Sequence, residues 1–396
     1  MFHLARTTRS TLLAVLAAAT LAGCAGGQSV GTDLPQWSVV EEVRITGATN
    51  PNQGLGEVSA IAVDEDGEIY IPLFMQGTIL VYDDEGTPLR RIGERGSDPG
   101  EFDRIYGLGL IGDTLYAIDF GLRRISYFTQ AGELLRTQNL TPTPVDPPFA
   151  PGMPFAVFPD GSMAIGSAWA PTVDREALRR VPQLRIEPDG QRVDTVAWLG
   201  YDRTGRRVED ERGRPLPVGS PLSDDAFAIF AMDGSRLVSI DRTLPNGSGP
   251  ATYGVAVSDG WGDTIYSRRY EYEPIEIDES VIDQTVAAGA ARIEGAFGSP
   301  AEAEDFVRGA MFLPTHYPPV NNAVFTDEGM LWLQREPIPG QPQRWMVLDE
   351  AGEPVAEAAL PANFRVVVIR DDSIWGIAHD AAGATHVVRY GIERTG

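Results

Sequence analysis

Four things are scarce in this 396-residue chain: cysteine occurs once, lysine never, histidine four times, and only one stretch is a long apolar run. A single cysteine, Cys24, excludes an internal disulfide, so an exported domain built from this chain relies on its core. Downstream of it lie only His316, His379 and His386, with no close pair at helical spacing. A zinc site of His/Cys type is therefore disfavoured. Without lysine there is no Gly-rich phosphate loop ending in Lys, and no Gly-x-Ser-x-Gly elbow precedes a helix. Every positive side chain is Arg, and the formal net charge is −24. A body this acidic argues against nucleic acid, because phosphate neutralisation needs clustered positive charge. It equally disfavours docking of the body on anionic lipid.

The apolar run lies near the start. Arg6 and Arg9 precede residues 12–19, which are Leu, Ala and Val, and Leu21-Ala22-Gly23-Cys24 follows. A charged start, an apolar centre and small residues form a secretory signal. Leu-Ala-Gly-Cys resembles the bacterial lipobox. That resemblance implies cleavage after residue 23 and lipidation of Cys24. Ala25 in place of Asp implies sorting to the outer membrane, facing the periplasm or the cell surface. Residues 1–23 are then signal, 24–36 tether, and 37–396 one domain, with the membrane reached through the lipid only.

What is present is a recurring phrase: an apolar run, an Asp/Gly turn, a second run, a gap, a third run. Its clearest copy has Ala60-Ile61-Ala62-Val63, the turn at 64–67, Ile69-Tyr70-Ile71, then Ile79-Leu80-Val81-Tyr82 and the turn at 83–86. Five further copies turn at Gly112-Asp113, Asp160-Gly161, Asp233-Gly234, residues 327–329 and Asp371-Asp372. The runs are four to six residues long and rich in Val, Ile, Tyr and Trp, which is strand composition. Gly in the turns reaches positive φ without penalty. Four antiparallel strands per repeat predict an all-β fold, a six-bladed β-propeller.

The sixth copy stops after its third strand. Residues 37–45 form an unassigned strand upstream of the first copy, and we expect it to supply the outer strand of the last blade, closing the ring. Residues 92–102, Ile-Gly-Glu-Arg-Gly-Ser-Asp-Pro-Gly-Glu-Phe, resemble the NHL repeat, in which such a phrase enters the next blade. The other copies lack it, so the likeness covers one or two blades. NHL-like propellers are binding platforms, and related six-bladed rings include lyases and lactonases.

Two stretches depart from the repeat. Residues 202–214 are Arg-, Pro- and Gly-rich and read as a long loop between blades three and four, either an anion-binding or docking loop or a solvated insertion. Residues 275–313 read as a helical hairpin between blades four and five. Asp278 or Ser280 caps its first helix; Ser299 caps the second, with Pro300 at its first position. It is either a lid over the channel mouth or packing on the rim.

Blade geometry puts the loops entering each blade on the same face as those between second and third strands. That mouth collects Arg104, Tyr106, Asp224, His316, Tyr317, Asn321 and Asn322 from the former. From the latter come Phe74, Gln76, Asp119, Arg123, Trp169, Arg242, Arg335 and His379. The candidates for ligand binding are His316, Tyr317, Asn322, Arg104, Tyr106, Asp119, Arg335 and His379; no catalytic residue is assigned. His316, set among prolines, suits a general base, a metal ligand or a hydrogen-bonded turn. No metal or cofactor is called for. Calcium on mouth Asp and Asn side chains, as in six-bladed lactonases, is compatible with the sequence, but no ligand set is readable. Two functions follow: a monomeric envelope lipoprotein whose ring binds a protein or small molecule, or a hydrolase or lyase working in the channel through His316 and His379.

Overall fold

The computed structural model describes residues 34–46, 55–140, 149–169, 180–188, 193–200, 208–209, 213, 215–216, 218–244, 250–336 and 338–394. The apolar runs form strands, and the strands group into six blades. Blade one is Ala62–Val63, Ile69–Leu73, Thr78–Tyr82 and Pro88–Ile92. Blade two is Ile105–Ile111, Thr114–Asp119, Arg124–Thr129 and Leu134–Asn139. Blade three is Phe149–Val157, Met163–Trp169, Arg180–Ile186 and Val193–Gly200. Blade four is Phe227–Phe230, Arg236–Asp241, Thr252–Asp259 and Thr264–Glu271. Blade five is Val320–Phe325, Leu331–Arg335, Gln343–Leu348 and Pro354–Leu360. Blade six takes Phe364–Arg370, Ser373–His379 and Thr385–Glu393 from the end of the chain and Gln36–Ile45 from its beginning.

The closing strand pairs antiparallel with Thr385–Glu393, from Ser38 opposite Glu393 to Ile45 opposite Val387. Its first two residues add a feature the sequence did not suggest. Gln36 and Trp37 pair in parallel with Glu357 and Ala358, the outer strand of blade five. Blades five and six therefore form one continuous eight-stranded sheet.

Side chains alternate along each strand, so each blade buries both faces against its neighbours. An apolar cluster fills five of the six seams. Val43, Ile69, Trp375 and Val387 join blade six to blade one. Ile79, Val81, Ile105 and Leu115 join one to two, and Ile118, Ile125, Val157 and Leu184 join two to three. Val238, Val257, Leu333 and Met346 join four to five; Trp332, Trp345, Phe364 and Ile374 join five to six. Each fully buried side chain of this kind contributes roughly 1.5–3 kcal/mol. Among the described residues no such cluster lies between blades three and four.

Arg side chains clamp the seams on the face that carries the Asp/Gly turns. Arg90 of blade one pairs with Glu68 and donates to the Gln130 carbonyl of blade two. Arg236 of blade four donates to the Gly329 carbonyl and to Glu350 of blade five. Arg370 of blade six reaches Asp327 of blade five and the Val63 carbonyl of blade one. Gly234, at φ 70°, sits where a Cβ would come within 2.3 Å of the Phe158 ring, so no other residue fits that turn.

The hairpin is present. Helix α1, Glu279–Ala291, is capped by Asp278, whose side chain accepts from the Ser280 N–H. Helix α2, Pro300–Ala310, is capped by Ser299 accepting from the Glu302 N–H. Val286, Ala290, Ala303 and Val307 pack α1 on α2. Leu216 and Val218, on the chain entering blade four, cover the same cluster. Residues 202–214 lie mostly outside the described residues, but Val208–Glu209 pairs with Pro215–Leu216, a short ladder where we expected only loop.

Candidate functional site

The mouth face is built as expected from entry loops and second-to-third-strand loops, and its candidates fall into separate groups. On blade two, Asp119 is fully buried. Its carboxylate accepts the backbone N–H groups of Asp103, Arg104 and Leu122 at 2.7, 3.3 and 2.9 Å. It holds the entry loop rather than facing solvent. Arg104 stands 5.4 Å from the Phe120 ring, and Tyr106 lies 6.4 Å from that ring; both aromatics are about half exposed. Phe120 follows Asp119 directly, and its exposed ring had no signal in the repeat.

On blade six, His379 is exposed, with Nδ1 3.4 Å from the Thr385 hydroxyl. Asp380 beside it is held below the usual carboxylate range by the Ala384 N–H and by His386, whose Nε2 is 3.3 Å away. His316 and Tyr317 sit at the root of the hairpin. Thr315 and Tyr317 exchange backbone hydrogen bonds with Ile277 and Ile275 at 2.9 Å, so this strip tethers the hairpin to itself. His316 is half-buried with Nδ1 2.9 Å from the Thr315 hydroxyl, and Tyr317 is buried. Burial raises the Tyr317 phenol above its ordinary value. The Asn322 side chain accepts from the Ala323 N–H within the inner strand of blade five.

The densest group surrounds blade four. Arg242 donates to the Asp225 carbonyl at 2.7 Å and the Val320 carbonyl at 3.0 Å, bridging the entries of blades four and five. Burial lowers its pKa. Asp224, buried, accepts from the Leu244 N–H at 2.9 Å. Arg335 lies 5.8 Å from the Tyr253 ring, with Nε 3.5 Å from the buried Glu336 carboxylate, which Arg344 also meets. Burial pushes the Tyr253 phenol up to about 12.

The other side of blade four opens into a cleft of about 580 Å³ toward blade three. In the third strand of blade four, Tyr253, Val255 and Val257 are buried against blade five. Thr252, Gly254, Ala256 and Ser258 alternate with them and are half-exposed toward blade three. Ser239, Asp241, Ser267 and Arg269 continue this small, polar surface across the sheet. Arg180 and Trp198 of blade three form the opposite wall, with the Trp198 ring 53 % exposed. Arg269 and Asp241 approach to 3.6 Å across the floor. At the far end Arg185, 3 % exposed, closes the seam. It donates to the Gly234 and Gly260 carbonyls at 2.7 and 2.8 Å and meets Asp160 at 3.0 Å. Phe158 and Trp261 stack on it at 4.5 and 4.1 Å. Of the residues nominated from sequence, only Asp224 lines the cleft. The signal that could have found it is the Ser/Gly/Ala parity opposite the Val/Tyr parity in residues 252–258.

Among the described residues, the one grouping of three carboxylates close enough for a cation is Asp83, Asp84 and Glu85, in an exposed turn on the opposite face. No described helix is long and apolar enough to cross a membrane.

Comparison with known proteins supports the architecture. The DUF5128 family, described as a 6-bladed beta-propeller, matches residues 45–149. A DUF4221-family protein from Bacteroides vulgatus superposes with a TM-score of 0.51 at 11 % identity, covering 92 % of this chain and 100 % of that one. A Bacteroides fragilis protein described as exported gives 0.48 at 9 % identity over 93 % and 99 %. Virginiamycin B lyase from Staphylococcus aureus gives 0.42 at 12 % identity over 90 % and 99 %. No curated protein matches the sequence. At 11 % identity the likeness to the Bacteroides vulgatus protein is one of fold alone.

Proposed function

We propose that this chain is an exported lipoprotein, anchored in the envelope through Cys24, whose β-propeller binds a small polar ligand on its mouth face. The observation that carries the binding reading is the cleft between blades three and four. Its volume of about 580 Å³ falls in the range of small-molecule sites, roughly 300–1,000 Å³. Its walls combine an aromatic plate, Trp198, with charges of both signs, Arg180, Asp241 and Arg269, over a floor of small side chains. That lining suits a polar molecule with a flat apolar face. The alternative, a hydrolase or lyase, draws its support from His316 and His379, and neither borders the cleft. The lipid anchor rests on the Leu-Ala-Gly-Cys motif.

Calorimetric titration with a panel of sugars, amino acids and dipeptides tests the binding reading. At least one member should bind, and Trp198→Ala and Asp241→Asn should each weaken it about tenfold. If binding is unchanged in both variants, the cleft is not the site. Intact-mass measurement of membrane-extracted protein tests the anchor: the mature chain should carry acyl groups on Cys24, and an unmodified Cys24 would sink it.

A further inference from the structure

We infer that the propeller is mounted with its turn face toward the membrane and its mouth, with the cleft and the hairpin, directed away. The inference rests on the lipid-anchor reading and adds a direction to it. The direction comes from strand register. Each blade's second strand runs toward the mouth, so in blade six Ser373 lies at the turn face and His379 at the mouth. Thr385–Glu393 returns from mouth to turn face, and the closing strand is antiparallel to it. Gln36 and Ser38, beside Glu357 and Glu393, therefore lie at the turn face, and Ile45 at the mouth. The chain leading back to Cys24 leaves from the face opposite the mouth.

The point of attachment, not charge, sets which way the body hangs, and charge sets how far off the leaflet it stays. The first-to-second and third-to-fourth strand turns all open on the exit face. Each blade places an exposed acid there: Asp84, Glu133, Asp160, Asp233, Glu350 and Asp371. Several of the arginines that reach this face, Arg90, Arg185 and Arg370 among them, hold the seams together, so they do not form a basic surface. The whole chain carries a formal charge of −24, and the lipidated body, without Arg6 and Arg9, is more acidic still, so an anionic leaflet repels it over about a Debye length, roughly 8 Å at physiological salt. Repulsion keeps the body from lying down on the leaflet. The attachment point then becomes the part of the body nearest the lipid. Eleven residues separate Cys24 from Gln36, a reach of at most about 40 Å when fully extended.

The test uses the full lipidated chain in vesicles of phosphatidylcholine with phosphatidylglycerol and a lipid-borne acceptor dye. Acylated Cys24 is blocked, so a new cysteine carries the donor alone. Glu133→Cys marks the turn face and Met75→Cys, 47 % exposed, marks the mouth. Energy transfer to the bilayer should be at least about twofold greater from residue 133, and the gap should narrow at 1 M salt, where the Debye length falls to about 3 Å. Equal transfer from the two positions, or greater transfer from residue 75, overturns the orientation while leaving the anchor standing. A chain that carries no lipid on Cys24 removes both.

Discussion

Blade four has two sides built from the same four strands, and they do opposite things. Toward blade five, Val238, Ile240, Val255 and Val257 meet Leu333 and Met346 in a dry seam. Toward blade three, Ser239, Gly254, Ala256 and Ser267 leave a cleft. Strand alternation lets one sheet carry both, because neighbouring residues point to opposite sides. The difference shows how a propeller can keep its ring intact while leaving one seam open. The apolar neighbours hold the blade, and buried Arg185 together with the Phe155, Phe158 and Phe230 rings holds the open side at its far end.

The sharpest test of this contrast removes bulk from each side. Ile240→Ala should cost about 2–5 kcal/mol, as buried large-to-small changes do. Its cleft-side neighbour Ser239→Ala should stay within about 0.5 kcal/mol. Chemical denaturation followed by tryptophan fluorescence reads both, and comparable losses would mean the blade-three side is packed after all.

Next comes the staple. Arg185→Gln strands the Gly234 and Gly260 carbonyls and unpairs Asp160. A buried charge pair broken from one side costs about 3–5 kcal/mol. Because Asp160 is partly exposed, we expect about 2–3 kcal/mol here. Hydrogen exchange should rise in residues 180–186 and 236–241 before the other seams. Uniform exchange across all six blades would show that Arg185 is not what holds this seam.

The smallest effect concerns acid. Arg90 holds the Glu68 carboxyl below its ordinary value of 4.5. A depressed carboxyl stabilises the fold fully above that value, and the contribution fades as pH falls through its folded pKa. Thermal midpoints of wild type and Arg90→Gln should therefore differ most at pH 7, and the gap should narrow below about pH 4 to what the Gln130 carbonyl bond leaves. A gap independent of pH would assign the role of Arg90 to packing.

Much of the architecture was legible because it is written in local chemistry. Asp/Gly turns marked the hairpins, and Asp278, Ser299 and Pro300 marked the two helices at the residues that cap or open them. The orphan run at 37–45 announced ring closure because a blade lacked a strand. The seam clamps were not legible, since Arg90, Arg185 and Arg242 bind carbonyl oxygens that every residue has. Mouth geometry predicted which loops share a face, but not depth: Asp119 and Tyr317 are enclosed while Phe120 is exposed. The cleft was missed for a related reason. A strand half made of Ser, Gly and Ala looks weak in sequence, and weakness in a sheet face is also how space is made.

The strand that closes the ring has a mechanical consequence. Any pull on the chain that precedes Gln36 enters the fold there and runs along the length of residues 36–45. The rungs that bind this strand to Thr385–Glu393 lie across that line. Load is thus shared by the whole ladder in shear instead of peeling it rung by rung, and the parallel contact with blade five braces the end where tension first arrives.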